Sequence, residues 1–160
     1  MKDIIYIEEF EKIIGDIINN KKVNEMKNFM QHGDTNTFDH CYNVSIYCYI
    51  ICKKLNWDYK SVARAGMLHD FFLYDYRQRR LHKLHAFTHG KTACENACKL
   101  FDLSEKEKDM IVKHMWPSTI IPPKSKEGMV LVFVDKYCAI MEYLQYISRI
   151  ITKKNILKHV

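Results

Sequence analysis

The feature that most constrains this chain is a histidine beside an aspartate, His69-Asp70, at the end of an apolar run. The run places apolar residues at the spacing of a buried helix face: Val62, Ala63, Met67 and Leu68. The pair therefore stands where a helix end can present an imidazole and a carboxylate to a shared cleft. A histidine beside an aspartate is common by chance, so its meaning depends on the rest of the chain.

The remaining sequence predicts helices and no strands. Apolar residues recur at helical spacing from Ile4 to Ile18, and a shorter helix is expected over 22–31. Residues 71–87 lack a clean period and predict a loop with helical pieces. Further helices are expected over about 38–55, 59–70, 88–101, 104–115, 127–146 and 147–157. The sequence thus predicts an all-α fold of roughly six to eight helices.

Local signals fix several of these helix ends. Asp58 is placed to cap the helix over 59–70, and Ser104 with Glu107 forms a capping box for a later helix. Trp116-Pro117 ends that later helix, because proline removes a backbone donor and restricts the residue before it.

Composition limits the class of protein. A chain of 160 residues with a net charge of +6 forms one domain and favours an anionic partner. It has six cysteines without disulfide spacing, no secretory signal and no apolar run that spans a membrane. We expect a cytoplasmic protein without membrane association. Nucleic acid is not expected, because no reader motif accompanies the basic residues.

Four more residues fall where helices can present them to the same cleft as His69-Asp70. His40 and His89 are predicted at helix starts, His114 is near a helix end, and Asp135 is in the body of a helix. Asp135 follows the run Met129–Val134, which is apolar on every face. Burial of an ionised carboxylate is costly unless it is paired or bound to a metal, which favours a functional role over a surface position.

The order of these residues resembles the HD superfamily of metal-dependent phosphohydrolases. Three short segments of this sequence carry the resemblance, which extends from Phe38 to Tyr143: Gly66-Met67-Leu68-His69-Asp70, His89-Gly90-Lys91-Thr92-Ala93 and Val134-Asp135-Lys136. It implies one HD-type helical domain over residues 1–160, with a core of about 38–143. The N-terminal helices over 4–31 and the C-terminal helix over about 147–157 flank that core.

The resemblance also implies a metal site and a reaction. One metal would be bound by His40, His69, Asp70 and Asp135, and a second by His89 and His114 with Asp70 as the bridging ligand. Such ligands suit one or two divalent ions of Fe, Mn, Co, Ni or Zn. The implied reaction is hydrolysis of a phosphomonoester or phosphodiester, with a nucleotide expected, by a metal-activated water. Asp70 would be catalytic as well as a ligand.

Several polar residues are candidates for substrate contact or proton transfer. Lys136, Lys91 and Arg77 are placed to contact a phosphate, and His85 shares the face of His89 if its helix starts early. Asp75 is a candidate proton donor to the leaving group. An ordinary solvated position is the open alternative for each of them.

Other interpretations remain open at this stage. The same fold and metal site also suit a binding or regulatory module without turnover, and some relatives of this fold are di-iron oxygenases. The pairs Cys48/Cys52 and Cys94/Cys98 favour core packing over a zinc site. The apolar face of the C-terminal helix makes a homodimer a possible assembly.

Overall fold

Most of the chain is helical. The computed structural model describes residues 2–75 and 82–156, without the side chains of residues 2–5, 82–86 and 153–156. The elements in this part of the chain are α1 Lys2–Ile18, α2 Lys21–Asn24, a 3₁₀ turn Glu25–Asn28, β1 Met30–His32, β2 Thr35–Asn36, α3 Thr37–Lys54, α4 Tyr59–Leu68, α5 His82–Cys98, α6 Glu105–Lys113 and α7 Lys126–Ile156. Seven helices and one short hairpin in these residues confirm the all-α prediction.

Side-chain caps fix the starts of three helices. Asn36 caps α3 and Asp58 caps α4, each accepting a hydrogen bond from the backbone N–H three residues on, at 2.9 and 3.1 Å. Ser104 and Glu107 form the reciprocal capping box of α6. The predicted starts at Asp58 and Ser104 are confirmed, and a cap of this kind contributes about 1 kcal/mol.

Helices α3 and α4 pack in close contact. A Cβ added at Gly66 of α4 would lie 2.9 Å from Cα of Ser45 in α3. Across the same contact, the Ser45 hydroxyl donates a hydrogen bond to the carbonyl of Ala63 at 2.6 Å. Glycine at position 66 therefore sets the distance between the helices that carry His40 and His69.

Helix α7 packs along α3 in the opposite direction. The ring of Tyr47 lies edge-on to Tyr137, with centroids 6.2 Å apart. Near the end of α3, the backbone N–H of Asp58 donates to Glu127 in the first turn of α7 at 3.2 Å. The start of α3, with His40, consequently lies against the middle of α7.

The segment after α1 differs from the expected helix over 22–31. Helix α2 ends at Asn24, whose side-chain amide donates to the carbonyl of Ile18 at 2.7 Å. The chain then forms the antiparallel β1–β2 hairpin, which turns at Gly33 with a φ of 60° that favours glycine. The backbone N–H of Thr37 donates to the carbonyl of Phe29 at 2.8 Å and closes the hairpin. The expectation of no strands is wrong for this hairpin.

Helix α5 begins at His82, earlier than the expected start near residue 88. His89 therefore lies in the body of the helix, and the expectation that it stands at a helix start is wrong. Gly90 allows α5 to press against the end of α6, because a Cβ there would lie 2.9 Å from the carbonyl oxygens of Ile111 and Val112. This contact holds the middle of α5 at the site.

Helix α7 continues without a break from Lys126 to Ile156, where two helices meeting near residue 146 were expected. No glycine or proline stands between residues 129 and 156 to end it. Phe133 is 61% exposed, so the run before Asp135 is not buried on every face. None of the described helices has the length and apolar character needed to cross a membrane.

We expect Gly66→Ala to lower the free energy of unfolding by about 1–3 kcal/mol, because the added methyl group meets backbone atoms that cannot rotate away. Urea unfolding followed by circular dichroism measures the change. Gly15→Ala in α1 is the matched control, since a Cβ there meets nothing within 4 Å. That substitution should raise stability by about 0.5–1 kcal/mol. Equal effects of the two substitutions would contradict the close contact between α3 and α4.

Candidate metal centre

The structure brings together all six residues of the predicted ligand set. They come from five helices or helix ends: His40 from the first turn of α3, His69 and Asp70 from the end of α4, His89 from the body of α5, His114 from the end of α6, and Asp135 from the body of α7. Each of the six is buried, and the most exposed, Asp135, has only 8% of its surface exposed. The surface position that the sequence left open for Asp135 is therefore not observed.

Asp70 lies between two groups of histidines. Its Oδ1 is 3.2 Å from Nε2 of His89 and 3.5 Å from Nε2 of His114. Its Oδ2 is 3.5 Å from Nε2 of His69 and accepts a hydrogen bond from the side-chain amide of Gln31. One carboxylate thus directs an oxygen to each group of histidines, as a bridging ligand requires.

The second carboxylate, Asp135, lies in the group that contains His40 and His69. Its Oδ1 is 3.1 Å from Nε2 of His40 and 3.5 Å from Nε2 of His69. In the other group, the Nε2 atoms of His89 and His114 are 2.9 Å apart. Each group therefore combines two imidazole nitrogens with at least one carboxylate oxygen.

The spacing of these atoms suits ligands of a shared cation. Two ligand atoms about 2.1 Å from one ion, at the angles of tetrahedral or octahedral coordination, lie roughly 3.0–3.4 Å apart. The facing nitrogen and oxygen atoms here lie 2.9–3.5 Å apart. Three sets of three residues have ligand atoms mutually within 4.8 Å: His40, His69 and Asp70; His69, His114 and Asp135; Asp70, His89 and His114. The residues therefore fit a metal centre.

Hydrogen bonds fix the orientation of three of the imidazole rings. Nδ1 of His69 lies 2.8 Å from the carbonyl of Gly66, and Nδ1 of His114 lies 2.7 Å from the carbonyl of Ile111. A carbonyl oxygen can only accept, so each Nδ1 carries a hydrogen and donates it. Nδ1 of His40 similarly donates to Glu142 at 2.9 Å. The Nε2 of each neutral ring is then the nitrogen that can bind a metal.

Two buried atoms at the centre of the cluster make no hydrogen bond of normal geometry within the described residues, although imidazole nitrogens or carboxylate oxygens lie 3.2–3.5 Å from each. They are Nε2 of His69 and Oδ1 of Asp70. Native proteins rarely leave buried polar atoms without a partner, because each costs about 1–3 kcal/mol. Both atoms belong to the proposed ligand set, and a cation would satisfy them.

The charges of the cluster are strongly coupled. Burial alone would raise the pKa of both carboxyl groups, but neighbouring imidazoles outweigh it and lower the pKa of Asp70 and Asp135 below their usual range. Burial alone would likewise lower the pKa of His40, but its hydrogen bonds to Asp135 and Glu142 raise it to about 10. Burial would lower the pKa of His69 too, but the neighbouring Asp70 raises it. In the metal-free protein, protons on His40 and His69 thus supply the positive charge that the buried carboxylates need.

Glu142 is a member of the site that the sequence analysis missed. It is buried, and its Oε2 accepts the hydrogen bond from His40. Glu142 follows Asp135 by seven residues, or two helical turns, so the two carboxylates lie on one face of α7. This seven-residue spacing is the sequence signal that could have identified Glu142. A carboxylate behind a ligand histidine fixes its tautomer and makes the ring a better ligand.

The β1–β2 hairpin adds two more residues that the sequence did not identify. Gln31 donates to Asp70, and its side-chain oxygen accepts a hydrogen bond from the hydroxyl of Thr37 at 3.3 Å. The ring of His32 lies edge-on to His40 with centroids 4.9 Å apart. His32, His40 and Glu142 also have possible ligand atoms within 4.8 Å of one another. Both residues lie in a hairpin that brings them to the cluster, so helical periodicity could not identify them.

The predicted substrate contacts fall in different places. Lys136 is half-buried next to Asp135, with Nζ 3.4 Å from the carbonyl of His114. Lys91 is not brought to the cluster, since its side chain is 77% exposed and lies 4.0 Å from Glu95. Asp75 is half-buried, five residues after Asp70, and its role stays a prediction. Arg77 and the side chain of His85 lie outside the described residues.

The cysteines do not form a zinc site in the described part of the chain. Cys48, Cys52 and Cys94 are buried and Cys98 is exposed, and all four are free thiols. Burial raises the pKa of both Cys52 and Cys94 to about 11, so these two remain protonated at neutral pH. None of the candidate ligand groups among the described residues contains a cysteine.

We expect Glu142→Gln to weaken metal binding about 10- to 100-fold, because the amide no longer offers a charged acceptor to His40. Competition with a fluorescent chelator measures the affinity, and circular dichroism checks the fold. Glu95→Gln on the exposed face of α5 is the matched control and should leave the affinity unchanged. Equal affinities for Glu142→Gln and the wild-type protein would show that Glu142 does not support the site.

Metal binding should strengthen as the pH rises. The raised pKa of His40 keeps its proton in the metal-free protein up to about pH 10, so a cation must displace that proton at neutral pH. Lower pH favours the protonated form, and each displaced proton weakens binding by about tenfold per unit fall in pH. Titration calorimetry in buffers with different ionisation enthalpies measures the protons released. Binding without proton release would contradict a protonated His40.

Comparison with known proteins gives no match to a protein-family model, to a curated protein or to a solved structure. Inference about the cluster therefore depends on its own residues, their spacing and their burial. On those grounds it is a candidate metal centre built from imidazole and carboxylate ligands.

Proposed function

We propose that this protein is a metal-dependent phosphohydrolase of the HD type. Its substrate would be a phosphomonoester or phosphodiester, with a nucleotide as the expected class. The observation that supports the proposal most is the position of Asp70, with one oxygen facing His89 and His114 and the other facing His69. The residues that carry the sequence resemblance are thus the residues that meet in space.

The cluster would hold one or two divalent transition-metal ions. His40, His69 and Asp135 would bind one ion, His89 and His114 the other, and Asp70 would be shared. Imidazole with carboxylate suits Fe, Mn, Co, Ni or Zn better than Ca, whose ligands are oxygens. Such ions activate a water for attack on phosphorus and neutralise the charge of the phosphoryl oxygens.

The contribution of the protein chain is to hold these groups in place before substrate arrives. Gln31 fixes the Asp70 carboxylate, and the backbone carbonyls of Gly66 and Ile111 fix two of the rings. Burial excludes water from most of the cluster, which strengthens its electrostatic interactions. A phosphate ester would therefore meet a site that requires little reorganisation.

Lys136 is the described lysine best placed to orient the phosphoryl group. It follows Asp135 directly in α7 and is half-buried. Burial lowers its pKa, and the negative charge of Asp135 opposes that shift. Asp75 would donate a proton to the leaving group, and Arg77 and His85 would add substrate contacts from the segment that follows. Lys91 has no part in this proposal, because it points to solvent.

Hydrolysis can be tested with purified protein that is stripped of metal and reloaded with each candidate ion in turn. We expect release of p-nitrophenol from mono- or bis-p-nitrophenyl phosphate, or of phosphate from a panel of nucleotides. Asp70→Asn keeps the shape of the side chain but loses its charge, so it should reduce turnover by at least about 100-fold and reduce the bound metal. Asp102→Asn, at an exposed position before α6, is the control and should behave as the wild-type protein does.

Two outcomes would overturn the proposal. Metal-loaded protein without turnover on a broad panel would instead indicate a binding or regulatory module. Oxygen consumption that depends on reduced iron would indicate an oxygenase. Full metal content in Asp70→Asn would show that Asp70 is not a ligand, whatever the activity.

A further inference from the structure

The outer face of α7 is apolar and exposed over about five turns. Six large side chains, each 49–61% exposed, follow one another at alternating steps of four and three residues: Phe133, Tyr137, Ile140, Leu144, Ile147 and Ile151. This is the heptad spacing with which one helix presents a continuous apolar stripe to another. We call these six residues the α7 seam.

The opposite face of α7 is the one that packs on the protein. Asp135, Cys138 and Glu142 are buried there. Beyond Glu142, every residue from 143 to 152 is exposed, although this part of the helix is rich in isoleucine and tyrosine. On its inner side, Tyr143 contacts the ring of His32 and Tyr146 lies against Gly33, but the outer side of this part of the helix buries nothing against the described residues of the same copy. An apolar helix face of this kind gains stability from a second surface that covers it.

Helix α3 extends the exposed apolar surface beside the seam. Tyr47 and Ile51 are 46% and 37% exposed, and the ring of Tyr47 contacts Tyr137 of the seam. A groove of about 230 Å³ lies between the two helices, and the polar residues Asn43, Glu142 and Gln145 line it together with Tyr47, Tyr137 and Met141. The surface therefore combines a ridge, the α7 seam, with a groove beside it, and helices pack by fitting ridges into grooves.

The exposed area matches that of a stable protein interface. The seam and its neighbours Tyr47, Met141, Tyr143 and Ile150 expose on average about half of their surface. At roughly 90 Å² for each of these ten side chains, they offer roughly 900 Å² on one copy. A standard interface buries about 800 Å² on each partner, whereas the largest apolar patch of a typical monomer is about 300–600 Å².

The charges of this surface favour a second copy of the same chain. From Tyr137 to Thr152 the only charged residues are Glu142, which is buried against His40, and Arg149, which pairs with Asp34 at 2.5 Å. The middle of the seam therefore brings no like charges together when two copies, each with a net charge of +6, meet there; Lys136, Lys153 and Lys154 stand at its two ends. A strongly charged partner would find no complementary group.

We propose that the protein is a homodimer in which the α7 seam of one copy packs against the α7 seam of the other. A two-fold axis near Leu144, close to the middle of the seam, makes the same residues complementary to themselves. The tyrosine and isoleucine side chains beside the seam widen the contact and bring the α3–α7 groove to its edge. The proposal is independent of the hydrolytic function.

Sedimentation velocity tests the proposal on the full chain. The wild-type protein should sediment at twice the chain mass of 19.1 kDa. Leu144→Glu buries a charge in the seam, so the dimer affinity should fall by at least about 100-fold while circular dichroism shows an unchanged helix content. Ile120→Glu is the matched control, because Ile120 is 94% exposed in the loop before α7, and this variant should remain dimeric.

Mixing two variants separates loss of pairing from loss of folding. Leu144→Glu and Leu144→Lys should each be monomeric alone and should form a dimer when mixed, since the introduced charges then attract. A wild-type protein that sediments as a monomer up to about 100 µM would overturn the proposal, because a surface of this size supports much tighter pairing. Flotation of such a monomer with lipid vesicles would assign the seam to a lipid surface instead. A folded Leu144→Glu variant that stays dimeric would also overturn it.

Discussion

The burial of two carboxylates among four imidazoles is the constraint on which the rest of this structure depends. Asp70 and Asp135 remain ionised in the interior only because positive charge lies beside them, as protons on the rings or as a bound cation. To supply those rings, α3, α5 and the ends of α4 and α6 must converge on α7. Gly66 allows α4 to approach α3 closely enough, and Gly90 does the same for α5 and α6.

Much of the fold could be predicted from residues whose effect is local. Asp58 and Ser104 bond to the backbone three positions on, so a short stretch of sequence determines those helix starts. The burial of Asp135 could also be predicted, because an ionised aspartate after an apolar run is costly to bury unless it is paired or bound to a metal, and Asp135 is buried as expected. The complete ligand set was implied by the resemblance of the residue order to the HD superfamily, and its six residues meet in space.

The remaining features depend on contacts between distant segments. The hairpin turn at Gly33 places Gln31 on Asp70, and nothing within the hairpin sequence specifies that neighbour. Helix α5 starts at His82, where the sequence has no cap signal, and its middle is held at the site by the packing of Gly90 on α6. Glu142 shares a helix face with Asp135, but its partner His40 lies 102 positions away in the chain. Sequence periodicity identifies the faces of helices, whereas tertiary packing decides what each face meets.

Helix α7 holds Asp135 and Glu142 on one side and an apolar stripe on the other. If a partner that docks on the stripe shifts this helix, the carboxylates on its other side shift with it, and the two faces are then coupled. Coupling of this kind is reciprocal: occupancy of the ligand cluster changes the affinity of the outer face by the same factor as the outer face changes that of the cluster. If two copies associate there, the measured metal affinity depends on the protein concentration, and dilution alone will change it.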